Sequence, residues 1–144
     1  MGRRKETTEF LKECIADALF SLMAEKEPGK ISVDEITTLA GVGRVTYFRY
    51  FNSKEEALFY KLNTLFDRWS DEHGCNQDYS EIEPVAFFRF CEEIKYYLNL
   101  LYMRNQMEVL AEILIHLKDD AGLSRKEQFR HEITVYATYG IIRV

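Results

Sequence analysis

Between Arg44 and Lys54 the chain gathers two guanidiniums (Arg44, Arg49), a hydroxyl (Thr46), a phenol (Tyr50), an apolar contact (Val45) and an ammonium (Lys54). None of these is a nucleophile–base pair. Their shared chemistry is hydrogen-bond donation and positive charge. Arginine can donate two parallel hydrogen bonds to the O6 and N7 edge of guanine, while hydroxyls and ammoniums suit phosphate oxygens. If residues 44–51 form a helix, Tyr47, Phe48 and Phe51 can face a core, leaving Arg44, Val45, Thr46, Arg49 and Tyr50 outward. Such a face suits a major groove and its phosphate walls. Elsewhere there is no Ser/His/Asp set, no phosphate-cradling glycine loop and no zinc-type cysteine spacing, so an enzyme is not expected.

The residues around this segment are those that would hold it in place. Ser32 with Glu35 makes an S-x-x-E capping box, and Ile31 and Ile36 flank it as a hydrophobic staple. Ile36, Leu39 and Ala40 give the short helix an apolar side. Gly41 follows where a helix end favours a left-handed residue. Val42 can fill the corner, and Gly43 opens the second helix, Arg44 to about Phe51. Asn52–Ser53 ends it, and Ser53 with Glu56 forms another capping box. Two short helices and a glycine turn in this space form a helix-turn-helix.

The run AGVGRVTYFRYFNSKEEAL resembles the signature of tetracycline-repressor-like (TetR/AcrR) regulators, A-G-V-S-x-G-T-[LF]-Y-x-[HY]-F-x-[ST]-K-E-x-L. Ala40, Gly41, Val42, Thr46, Tyr50, Phe51, Ser53, Lys54 and Glu55 match directly. Gly43 replaces the usual serine cap, Val45 a small residue, and Phe48 a tyrosine whose hydroxyl usually reaches a phosphate. The resemblance implies an all-α protein in which a three-helix DNA-binding domain (1–52) precedes a helical effector-binding and dimerisation body (53–144). It also implies a cytoplasmic homodimeric repressor on double-stranded DNA with a palindromic operator. The DNA-binding set is then Ser32, Arg44, Val45, Thr46, Phe48, Arg49, Tyr50 and Lys54.

The rest of the chain agrees with that outline. Its 144 residues carry a net charge of −5, with 9 Lys/Arg against 8 Asp/Glu in residues 1–54 and 10 against 16 thereafter. A DNA contact must therefore rest on a few placed cations rather than a general basic coat. Arg3, Arg4 and Lys5 read as a short basic arm. A first helix over Thr7–Glu25 carries the stripe Leu11, Cys14, Ile15, Ala18, Leu19, Leu22, and Glu27–Lys30 is a turn. A long helix from Ser53 to His73 bears Leu58, Leu62, Leu65, Phe66 and Trp69. In the resembling family this helix joins the DNA lobe to the body. A loop over 74–79 precedes an aromatic helix from about Ser80–Pro84 to Met103, and Asn105 can cap a further one to Leu117. Ser124 and Glu127 box a last helix that runs to Val144 in an apolar stretch, so the chain is expected to continue.

Fourteen aromatics after residue 54 make a cavity for a small hydrophobic or aromatic effector plausible, lined from Phe66, Trp69, Phe88, Cys91, Tyr97, Tyr102, Met103, Met107 and Tyr136. Cysteines 14, 75 and 91 are widely spaced and read as reduced thiols. No run suits a membrane span, and no cofactor motif appears. Two alternatives stand beside this reading. One is a DNA-binding regulator with no effector, controlled by a protein partner. The other is a metal-binding bundle using Glu112/His116 and Glu127/His131, although these pairs lack the i, i+3 spacing of di-iron bundles.

Overall fold

A computed structural model describes residues 2–73 and 84–110. Its elements are α1 (Gly2–Glu25), a single 3-10 turn (Pro28–Lys30), α2 (Val33–Ala40), α3 (Arg44–Tyr50), α4 (Lys54–Glu72), α5 (Pro84–Glu93) and α6 (Lys95–Met103). Among the described residues there is no strand, and the fold is all-α. The chain divides into two compact units, Met1–Lys61 and Leu62–Val144, the division falling inside α4.

In the first unit α1 packs on α2, and α2 on α3. Its core holds Ile15, Ala16, Ala18, Leu19, Phe20 and Met23 of α1 with Ile31, Ile36, Tyr47, Phe51, Ala57 and Leu58. The expected α1 stripe is displaced. Ile15, Ala18 and Leu19 are buried as anticipated, Leu11, Cys14 and Leu22 are only half-buried, and Ala16, Phe20 and Met23 are added. The cause is that α1 has two neighbours rather than one. Besides α2 it meets the start of α4, where the Tyr60 hydroxyl donates to the Glu9 carboxylate at 2.7 Å. The Lys61 ammonium, almost wholly buried, pairs with Asp17 at 2.7 Å. A buried ammonium is tolerated only with such a partner. The helix also reaches back to Gly2, so Arg3, Arg4 and Lys5 lie in its first turns instead of a free arm.

In the second unit the latter half of α4 supplies Leu62, Phe66 and Trp69 to the core. Phe66 meets Phe90 of α5 edge-on at 5.2 Å, and Trp69 lies 5.3 Å from the same ring. The aromatic helix expected to run unbroken to Met103 is two consecutive helices, α5 and α6, separated by a single residue. Ile94 joins them with ψ 11°, its N–H donating to the Phe90 carbonyl and its carbonyl accepting the N–H groups of Tyr97 and Leu98, so the junction is a tightened helical turn rather than a loop. The expected further helix does begin, at Glu108, but Asn105 is not its cap. With φ 55° it ends α6 in the left-handed conformation: its own N–H reaches the Tyr102 carbonyl and that of Gln106 the Leu101 carbonyl. Asparagine tolerates that region, which suits it to either end of a helix and makes the sequence ambiguous. Expectations falling on 74–83 and 111–144 lie outside the described residues. They comprise the loop, the Ser124–Glu127 box, both Glu/His pairs and Tyr136.

Candidate nucleic-acid interface

The helix-turn-helix is assembled by local chemistry. Ser32 Oγ accepts the Glu35 N–H at 3.2 Å, and the Glu35 carboxylate accepts the Ser32 N–H at 2.9 Å, which completes the capping box. Lys26 also pairs with Glu35. That pairing, followed by the two bonds from Ser32, draws the Glu35 carboxyl down to about 2. At the other end Gly41 sits at φ 68°, ψ 30°. Its N–H reaches Thr38, and that of Val42 reaches Thr37 at 3.0 Å, a Schellman closure. Gly43 caps α3 without a side chain, its carbonyl taking the N–H groups of Thr46 and Tyr47. The second capping box forms in altered register. The Glu56 N–H donates to Ser53 Oγ at 3.2 Å, but the Glu56 carboxylate reaches back to the Asn52 N–H at 2.8 Å.

On α3 the inward side is Tyr47, 1% exposed, followed by Phe51 at the helix end. Phe48 is not in the core but 53% exposed, and Val45 is 75% exposed. Successive helical residues are about 100° apart, so Tyr47 and Phe48 cannot both face one core; Phe48 shares its row with Arg44. The Arg44 guanidinium lies 5.9 Å over the Phe48 ring. Leu39, expected on the inner side of α2, points outward for the same reason: Ile36 and Thr37 take the buried arc. It borders a shallow groove with Leu22, Asp34, Glu35 and Thr38.

Arg44, Val45, Phe48 and Arg49 therefore form one exposed surface, with Thr46 and Tyr50 half-buried at its margin. Arg49 makes no hydrogen bond or ion pair among the described residues and is available to an anion. Ser32 is exposed, with its hydroxyl engaged in the capping box. Lys54 is drawn inward: its ammonium donates to the Pro28 carbonyl at 2.5 Å and the Ile31 carbonyl at 2.8 Å, leaving one N–H. Two contributions escaped sequence reasoning. Lys54 ties the start of α4 to the turn before α2. Asp34 accepts from Arg44 at 2.7 Å, a contact between residues ten apart that no local spacing rule signals.

The described effector candidates differ in exposure. Phe66, Trp69 and Met107 are buried, Cys91 and Tyr97 are half-buried, and Phe88, Tyr102 and Met103 are exposed. Burial, and to a lesser degree Glu92, pushes the Cys91 thiol up to about 11, so it is a poor nucleophile. Trp69 is the informative residue. It stacks on His73 at 4.8 Å, yet its buried indole N–H has no hydrogen-bond partner among the described residues.

A capped helix, a left-handed glycine turn and a second helix presenting cations and apolar groups to solvent define a helix-turn-helix of the DNA-reading class. Residues 15–59 match the family described as bacterial regulatory proteins, tetR family. Two relatives from Mycobacterium tuberculosis, of strains CDC 1551/Oshkosh and ATCC 25618/H37Rv, are each 40% identical over 48 residues. Each bears the name of an uncharacterized HTH-type transcriptional regulator. The matched segment is 33% of this chain and 24% of each relative, so it spans about a quarter of the length of these curated relatives. No solved structure matches the chain.

Proposed function

We propose that the protein is a transcriptional regulator that binds a palindromic operator as a homodimer and releases it when a small hydrophobic or aromatic effector binds. The observation that carries the DNA-reading part is the exposed surface of α3, with Arg44 and Arg49 beside Val45 and Phe48 on a helix that follows the capped α2 and the left-handed turn at Gly41. In this reading Arg44 contacts a base edge, and Thr46, Arg49, Tyr50 and the remaining N–H of Lys54 hold phosphates. Two copies place their reading helices in half-sites about one helical turn apart, roughly 34–36 Å, or a multiple of it. Residues 1–52 read DNA, 53–144 serve effector and dimer, and the site of action is the cytoplasm. Among the described residues no helix is long and apolar enough to cross a membrane.

Support for an effector comes from Trp69. A buried, unsatisfied donor costs about 1–3 kcal/mol. An acceptor carried by an aromatic ligand would relieve that cost within the Phe66–Trp69–Phe90 group. The ligand acts only through its different affinity for the DNA-competent and incompetent states.

Selection from a random duplex library tests the reading directly. Enrichment of a two-fold symmetric sequence is expected, with Arg44→Ala losing about 1–3 kcal/mol of preference at defined base pairs. No enrichment at low salt overturns it. Because Trp69 is the chain's one tryptophan, its fluorescence reports on this site alone. An effector that lowers operator affinity should shift that emission. Effectors that act with the emission unchanged would remove Trp69 from the site.

A further inference from the structure

The ion pair between Asp34 and Arg44 joins the two helices of the motif at 2.7 Å, with both side chains more than half exposed. An exposed pair of this kind contributes little to folding. Its geometric consequence is larger. Asp34 lies in the first turn of α2, whose backbone is fixed by the Ser32–Glu35 box and by the Thr37 hydroxyl donating to the Asp34 carbonyl. Arg44 is the first residue of α3, and the Schellman closure at Gly41 fixes the path between them. The carboxylate therefore stands on a rigid support beside the guanidinium, which also lies 5.9 Å over the Phe48 ring.

We infer that Asp34 is a positioning residue for DNA reading: it orients Arg44 so that its remaining donors face a guanine in the major groove. This rests on the proposed reading of α3. Arginine carries five N–H donors in a planar fork, and the bond to Asp34 occupies Nη1 only once. Enough donors remain for the two parallel bonds to guanine O6 and N7. A long side chain held in one orientation before binding loses less freedom on binding.

The test uses the full chain, the duplex enriched from a random library, the same duplex changed at single base pairs, and a random-sequence duplex. Arg44→Ala first locates the base pair that Arg44 reads. Asp34→Ala is expected to lose about tenfold of discrimination at that same pair, with affinity for random duplex unchanged or raised. Asp34→Asn, which keeps an acceptor oxygen, should retain part of the preference. In the Arg44→Ala background Asp34→Ala should change base preference no further. Equal weakening on every duplex would make Asp34 merely structural, and equal strengthening would make it a general electrostatic brake. A change at a different base pair would make it a direct reader. Each of these overturns the inference while leaving the DNA reading intact. If Arg44→Ala moves no base preference, the reading of α3 fails and the inference with it.

Discussion

The first unit and the aromatic half of the second solve the same problem by different means. In the helix-turn-helix the polar ends are closed by named partners: Ser32 with Glu35, Gly41 with Thr38, Gly43 with Tyr47, Lys54 with Pro28 and Ile31. Around Trp69 the structure rests on ring contacts, and among the described residues the buried indole N–H has no partner. A scaffold that must hold donors against a duplex benefits from rigidity, because positional error is lost affinity. In the proposed reading the second unit responds to a ligand, and such a region needs something left for the ligand to complete. The contrast teaches where to look for function in each: at exposed groups in the first unit and at buried unsatisfied groups in the second.

The largest test of that contrast is Lys54→Ala. Hydrogen bonds from charged donors are worth about 1.5–3 kcal/mol, so losing the ties to Pro28 and Ile31 should destabilise the first unit by about 2 kcal/mol in chemical denaturation. A variant with unchanged stability, but a salt dependence of DNA binding shallower by about one charge, would mean that Lys54 acts on phosphate alone. Next comes Gly41→Ala. At φ 68° a Cβ strains the backbone by roughly 1–2 kcal/mol although no atom crowds it, and the loss should appear as faster amide exchange in α2 and α3.

Acid separates the two regions by sign. Glu35 is held at about 2, below its ordinary 4.5, chiefly by Lys26. Its contribution to stability is complete above about pH 4.5 and is lost as pH falls through about 2. Asp67 is shifted the other way, raised by burial and by Asp71. Its ionised form opposes folding, so protonation on acidification relieves the second unit. In an acid titration, protection of α2 amides should fail before Trp69 fluorescence changes. The reverse order would break the comparison. The smallest effect is Gly43→Ser. The backbone there is extended at φ −84° and open to a Cβ, so a serine should cap α3 and gain a few tenths of a kcal/mol in thermal unfolding.

Much of this molecule was legible because it is local. The capping box at Ser32, the turn at Gly41, the start of α3 at Arg44 and the span of α4 are set by capping and backbone hydrogen bonds across three to five positions, and those spacings are written in the chain. Asn105 shows the limit of such reading, since one residue type serves either helix end and its neighbours' hydrogen bonds choose. What only tertiary structure decided is orientation against a neighbour. It turned Tyr47 inward and Phe48 outward, left Leu39 in solvent, widened the buried arc of α1 and drew the Lys54 ammonium onto two carbonyls. It also set Asp34 against Arg44. Periodicity names the residues that can share a helix face, but burial and pairing depend on what stands opposite, and that is fixed only when distant segments meet.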